Sequence, residues 1–327
     1  MNIAIIGCGL IGGKRLRALP REDVCVAAAD VDLSRAQRLA PAGAAVETDW
    51  RKAVARDDVQ AVVVATTNDG LAPVTLAAVE SGKHVLVEKP AARSAAELEP
   101  VVVAARARGV VVKAGFNHRC HPAMLKAREI INTGALGPLM FVRGRYGQGG
   151  RPGMEREWRG RRAVAGGGEM LDQGVHLVDL ARWFLGGEFT DVQGHVARYF
   201  WDWEVEDNGF ALLRTAAGQT AWLHASCTEW KNLFSLEIYG RDGKLAIDGL
   251  GGSYGVERLA YYRMLPQMGP PETTIWEYPG EDRSWQVEWE QFRHAVATGQ
   301  PPPGNLTDAL AALRVVERLY AASPPVR

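Results

Sequence analysis

The 327-residue chain reads as an α/β protein, with a doubly wound parallel sheet at the N-terminus and a region rich in antiparallel sheet after it. Three observations predict this. Short apolar runs alternate with helix-like stretches through the first third, a glycine turn joins the first run to the first helix, and beyond residue 188 the pattern changes to strand-like runs broken by hairpin turns. The length favours two domains, which commonly run about 100 to 200 residues each.

The first element lies in "NIAIIGCGLIGGKRLRAL", which begins apolar, passes through Gly7-x-Gly9-x-x-Gly12 and continues with Leu16 and Leu19 at one-face spacing. This is strand, tight turn, helix. Gly7 permits the turn, Gly9 lets backbone approach a pyrophosphate, and Gly12 allows the helix to pack closely on the strand. The free N–H groups at the helix start, those of Leu10 and Ile11, then hold phosphates. A second run, "VCVAAAD", ends in Asp30, 18 residues beyond Gly12 and close to the offset of about 20 expected for a ribose-binding carboxylate. A carboxylate there repels a 2′-phosphate, so NAD is favoured over NADP; Arg35 and Arg38 lie nearby and soften the preference.

The alternation continues through "AVVVATT", "APVTLAAVESG", "HVLVEKP", "SAAELEPVVVAARARG" and "VVVKAGFN". Strands alternating with helices in this way form a parallel sheet covered on both faces, a dinucleotide-binding domain whose ligands sit at the carboxyl ends of the strands. Those ends supply Thr66 and Asn68, then Glu88, Lys89 and Pro90, then Asn117, His118 and Arg119. Of these, Thr66, Asn68, Glu88, Lys89 and Asn117 are cofactor-binding candidates.

In the second half, "FTDVQGHVARYFWDWEV", "NGFALLRTAAGQTAWLHASCTEW" and "LFSLEIYGRDGKLAIDG" carry strand-like runs split by the turn signals "AAGQ" and "GRDGK". "SWQVEWEQFRHAVATG" and "NLTDALAALRVVERLY" have helical periodicity, the second with Asn305 or Thr307 available as N-cap.

Composition excludes several classes. With 47% hydrophobic and 23% charged residues and a formal net charge of zero, the chain has no footprint for nucleic acid and is no disordered protein. Its apolar runs are too short or too interrupted by charge to span a bilayer, and it opens without a basic leader, so a cytoplasmic protein is expected. Cys8, Cys25, Cys120 and Cys227 are scattered, which predicts reduced thiols. "NHRCHP" lacks a second ligand pair at zinc spacing, and no metal site is expected.

The segments "GCGLIG", "GKHVLVEKP", "GFNHRCHP" and "GGGEMLDQGVHLVDLARWFLG", in that order, resemble the glucose-fructose oxidoreductase and inositol dehydrogenase (Gfo/Idh/MocA) family of NAD(P)-dependent oxidoreductases. The resemblance covers essentially the whole chain. It implies a Rossmann domain, here 1–119, and an α/β domain with a large, mostly antiparallel open-faced sheet, here 120–327, with the substrate site between the two. The C-terminal helix, about 305–322, is expected to pack back on the first domain. One departure is "TTNDGLAP", where many members have a histidine shortly after the asparagine.

Oxidising a secondary alcohol with NAD needs a base for the hydroxyl proton and a group to steady the alkoxide. On a helix Asp172 and His176, four residues apart, share a face, and Asp179 follows one turn on. The sequence assigns proton removal to His176, oxyanion stabilisation to Lys89 and contact with a substrate hydroxyl to Asp172; family resemblance points to the same three positions. Asp179 reads as structural, orienting His176 or a neighbouring arginine. Further substrate candidates are Arg119, Tyr146 and Trp158. The last sits in "RPGMEREWRGRR", whose Arg151, Arg156, Arg159, Arg161 and Arg162 would suit an anionic sugar. A dehydrogenase of a sugar, cyclitol or nucleotide sugar is the leading reading. An NAD-dependent glycosidase of the same fold and a non-catalytic cofactor or ligand sensor are the alternatives. A homodimer or homotetramer through the second-domain sheet is expected.

Overall fold

The computed structural model describes residues 1–323. Its elements run β1 (Asn2–Ile6), α1 (Leu10–Ala18), β2 (Val24–Ala29), α2 (Leu33–Leu39), β3 (Ala45–Glu47), α3 (Trp50–Val54), β4 (Ala61–Val64), α4 (Asn68–Glu80), β5 (His84–Glu88), α5 (Ala95–Arg108) and β6 (Val112–Gly115). After them come α6 (Pro122–Asn132), β7 (Leu139–Gly147), the single turn α7 (Arg162–Ala165), α8 (Val175–Leu185), β8 (Phe189–Ala197), β9 (Asn208–Thr215) and β10 (Thr220–Ser226). The chain ends with β11 (Leu233–Gly240), β12 (Gly243–Asp248), β13 (Glu257–Arg263), β14 (Glu272–Tyr278), α9 (Ser284–Thr298) and α10 (Leu306–Ala322). Among the described residues two compact units result, one of residues 1–116, 163–166 and 285–313, the other of 117–162, 167–284 and 314–323.

The first unit holds a six-stranded parallel sheet in the order β3-β2-β1-β4-β5-β6, the doubly wound arrangement that the alternation predicts. Its central strands are apolar throughout because helices cover both faces: Ile3, Ala4 and Ile5 in β1 and Val62 and Val63 in β4 have no accessible surface. Trp289 and Phe292 of α9 join Ile3, Ile5, Val63 and Leu86 in one core, and the Trp289 indole donates to Asp23 at 2.7 Å.

A charged cluster lies buried in this unit. Arg15 of α1 pairs with Glu88 at the end of β5 (2.5 Å) and with Glu288 of α9 (2.6 Å), and Lys113 of β6 lies 3.7 Å from Glu288. Burial pushes the Glu88 carboxyl up, and the adjacent guanidinium pulls against that push.

The second unit is built on an eight-stranded sheet in the order β14-β13-β12-β11-β7-β10-β9-β8. Every pair is antiparallel except β7 with β10. Along β11, Phe234, Leu236 and Ile238 are buried while Ser235, Glu237 and Tyr239 point the other way, and α8 lies against β7 and β10. The hairpins at "AAGQ" and "GRDGK" stand as read from the sequence, joining β9 to β10 and β11 to β12. Asn305 is the cap of α10, its side-chain oxygen accepting from the amides of Thr307 (2.8 Å) and Asp308 (3.2 Å). Alternation does not reveal β7, because its inward position 144 is a glycine; a side chain there would meet Leu236, Leu177 and Leu223 at 3.0 to 3.2 Å.

Replacing Arg15 by alanine leaves two buried carboxylates facing each other, and breaking a buried pair in this way costs about 3 to 5 kcal/mol. A urea unfolding curve of Arg15→Ala is expected to show a matching loss of stability.

Candidate functional site

In the first unit the glycine turn separates two roles for glycine. Gly7 has φ of +95°, and a side chain there would lie 2.3 Å from the Ala65 carbonyl oxygen; at Gly12 it would lie 2.1 Å from that of Gly7. Both are glycine because backbone occupies the space. At Gly9 the same direction meets nothing within 4 Å, so the turn is open on that side. Helix α1 starts there with no side-chain cap and no acidic residue in its first turn, and Leu10 is 75% exposed. Its first amides, including those of Leu10 and Ile11, therefore carry the partial positive charge that suits an anion.

Asp30, at the end of β2, is held against this turn: one carboxylate oxygen accepts the Cys8 amide (2.8 Å), the other the Asp32 amide (2.9 Å). Burial pushes the Cys8 thiol up to about 12, so it stays a thiol. All four cysteines are buried and free, as their scatter implies.

The remaining strand ends are occupied in different ways. The Thr66 hydroxyl donates to the Thr67 carbonyl (3.0 Å), and the buried Asn68 amide donates to the Ala165 carbonyl (2.9 Å). Glu88 belongs to the buried ion cluster. Lys89 follows it half-buried, and the Lys89–Pro90 bond is cis. Asn117, at the start of the second unit, donates to the Ser284 hydroxyl at 2.9 Å.

In the second unit the segment that sequence reads as one helix has two parts, a π-helical turn at Met170–Gly174 followed by α8. Asp172 sits in the wider turn, and His176 in the first turn of α8. Such turns are uncommon, and they recur at functional positions. A buried carboxylate sets where this one begins: Glu206 accepts from the amides of Gly168 (3.0 Å) and Met170 (3.2 Å) and from the Tyr320 hydroxyl (2.6 Å). Position 168 has to be glycine, since a side chain would lie 1.9 Å from the Glu206 carbonyl oxygen.

Around that turn the polar groups are matched. Asp172 pairs with Arg159 (3.0 Å) and holds its guanidinium above the ordinary value. Tyr146 of β7 has its ring 6.2 Å from that of His176. Burial pushes its hydroxyl well up, and Tyr254, Asp172 and Glu169 add to the push. Tyr146 is thus a common neighbour of the histidine and the aspartate. His118 stacks on His176 with ring centroids 3.7 Å apart. Arg119 makes a two-pronged, buried pair with Asp179, at 2.7 and 2.5 Å. Asp179 thus has an arginine partner.

Three arginines of the arginine-rich segment pair with nearby carboxylates. Arg151 pairs with Glu157 (2.5 Å), Arg156 with Glu155 (3.3 Å), and Arg159 with both Glu157 and Asp172. The Arg162 amide donates to the Glu204 carboxylate. Trp158 lies with the Arg159 guanidinium 4.7 Å above its ring. Among the described residues no cluster of His, Cys, Asp or Glu suits a metal ion.

Three residues of this neighbourhood escape sequence reasoning: Glu169, Glu206 and Tyr254. His118 was marked by its place at a strand end in "GFNHRCHP".

Comparison with known proteins shows the family. A family model described as "Oxidoreductase family, NAD-binding Rossmann fold" matches residues 1–116, and one described as "GFO/IDH/MocA C-terminal domain" matches 124–246. Levoglucosan dehydrogenase of Pseudarthrobacter phenanthrenivorans is 33% identical over 173 residues, 52% of this chain and 44% of that protein. Inositol 2-dehydrogenase 2 of Saccharopolyspora erythraea is 33% identical over 61% of this chain and 58% of that protein. The chain thus spans about half the length of these curated relatives. Trans-1,2-dihydrobenzene-1,2-diol dehydrogenase of Oryctolagus cuniculus is 32% identical over 231 residues, 68% of this chain and 67% of that protein. Among solved structures, GenD2 from gentamicin A biosynthesis in complex with NAD superposes with a TM-score of 0.84 at 27% identity, over 98% of this chain and 93% of that one. Two family models in chain order and a relative matched over two thirds of its length make the chain a member of the GFO/IDH/MocA oxidoreductase family.

Proposed function

We propose that the protein is an NAD-dependent oxidoreductase that moves a hydride between nicotinamide and a secondary hydroxyl of a sugar-like or cyclitol substrate. The observation that carries this reading is the grouping of His176 and Tyr146 around Asp172 of the braced turn, in a chain that also has a dinucleotide turn open at Gly9. Relatives named as levoglucosan and inositol dehydrogenases support the substrate class.

The residues present fit the cofactor. Gly7, Gly9, Leu10, Ile11 and Gly12 would hold the pyrophosphate, and Asp30 the adenosine ribose, with Thr66, Asn68, Glu88, Lys89 and Asn117 at the neighbouring strand ends. When bound, the nicotinamide supplies a two-electron hydride acceptor or donor. The protein supplies the rest. His176 takes the hydroxyl proton as general base, Lys89 steadies the alkoxide with its charge, and Asp172, fixed by Arg159, accepts a hydrogen bond from a substrate hydroxyl. Tyr146 keeps its proton and so donates or accepts as a neutral hydroxyl. Arg119, paired with Asp179, acts on the wall of the site, and Trp158 offers a ring face for a sugar. Because Arg151, Arg156 and Arg159 of the segment have carboxylate partners, a neutral polyol is favoured over an anionic sugar.

We further propose a cytoplasmic homo-oligomer formed through the outer face of the eight-stranded sheet. There Trp222 and Leu212 are exposed opposite each other, and Phe141 stacks on Tyr239 at 4.2 Å. Light scattering of the purified protein is expected to give a dimer or tetramer mass.

Purified protein given NAD and a panel of sugars and cyclitols is expected to release NADH with at least one neutral polyol; turnover only with nucleotide sugars or sugar acids would reverse the substrate preference. His176→Ala is expected to lower kcat by about 10²- to 10⁴-fold while NAD still binds. Asp30→Ala is expected to raise the kcat/KM ratio for NADP over NAD, read by parallel assays with both cofactors. Glu206→Ala strips the acceptor from three buried donors, each left unsatisfied at about 1 to 3 kcal/mol. Its unfolding midpoint in urea is expected to fall sharply.

A further inference from the structure

We propose that His118 is a positioning residue that sets the plane of the His176 ring. The proposal rests on the reading of His176 as the general base.

The two imidazoles stack face to face, with centroids 3.7 Å apart and planes 19° from parallel. They come from different elements, His118 from the 3₁₀ turn Asn117–Cys120 and His176 from α8. Both are buried, at 5% and 4% exposure. The His118 ring is itself fenced by edges: Tyr146 at 5.0 Å, His121 at 5.8 Å and Phe234 at 6.0 Å, all near perpendicular. His121 is anchored in turn, its Nδ1 2.9 Å from Glu257, whose other oxygen accepts the Ala123 amide at 2.7 Å. A chain of contacts from β13 through α6 and the 3₁₀ turn thus ends on the face of His176.

The geometry bears on catalysis because the second side-chain torsion of histidine is broad and is weakly set by the backbone. A base that removes a hydroxyl proton has to point one nitrogen along the O–H bond, and a displacement of about 1 Å can lose about 10²-fold in rate. A stack on the ring face restricts its plane. It makes no hydrogen bond to either nitrogen, since their N–H and lone pair lie in the ring plane. Ring contact alone does this, so a flat ring at 118 should suffice without imidazole chemistry.

The test compares His118→Leu and His118→Phe in the NAD-loaded protein. With the best polyol, His118→Leu is expected to lower kcat by about 10- to 100-fold, with KM and NAD affinity close to wild type; His118→Phe, which keeps a flat ring, is expected to restore most of the rate. Wild-type kcat in His118→Leu overturns the proposal, and so does a Phe variant as slow as the Leu variant, which would assign the effect to the imidazole nitrogens. A second readout needs no turnover. The carbon-bound protons of His176 carry a ring-current shift from His118 in NMR spectra, and their signals are expected to move in the Leu variant and to stay near wild type in the Phe variant. If no polyol is oxidised, the proposed reaction fails, and the His176 signals still decide the stacking: unchanged signals in His118→Leu overturn it.

Discussion

Glu206 accepts three hydrogen bonds at once, from the amides of Gly168 and Met170 and from the Tyr320 hydroxyl, and those bonds fix where the π-helical turn begins. The turn determines the direction of Asp172, and α8 starts directly after it with His176. A free helix start would be satisfied by water or a local cap. Here a buried carboxylate more than 30 residues downstream does the work, helped by the glycine at 168, where the Glu206 backbone leaves no room for a side chain. Burial pushes the Glu206 carboxyl up while its hydrogen-bond donors pull it down, and burial wins.

The same economy governs the other buried charges. Each unit pairs its buried ions: Arg15 with Glu88 and Glu288 in the first, Arg119 with Asp179 in the second. Buried pairs of this kind add little net stability over apolar packing, and they become costly when one partner is removed. Their effect is to fix geometry. Arg119 and Asp179 tie the 3₁₀ turn to α8, which is also the path by which His118 reaches His176. Asp30, gripped by two backbone amides, is held in the same manner beside the glycine turn.

Much of the first unit was legible because its constraints are local. A parallel sheet covered on both faces demands continuous apolar strands, and a backbone turn without space for a side chain demands glycine, so β1, β2, β4, β5 and β6 and the turn at Gly7 could be read in order. In the second half the hairpins announced themselves through "AAGQ" and "GRDGK". The central strand β7 did not, because its inward position 144 is a glycine, which leaves the apolar face of the strand without a signal there. Asp172 and His176 were singled out through their spacing and resemblance, although the backbone between them begins in a π turn that α-helical spacing does not describe.

By itself, the sequence determined the fold class, the glycine turn and the family, since each is carried by short motifs whose own residues lie near one another in the chain. Only the tertiary structure decided how the polar groups are partnered. It assigned Glu88 to Arg15, Asp179 to Arg119, Asp172 to Arg159 and the ring of His118 to His176. Except for Arg159 and Asp172, 13 residues apart, these partners are separated by more than 50 residues. Charge and ring contacts act over a few ångströms of space, and no spacing rule along the chain records which distant residues folding brings within that range.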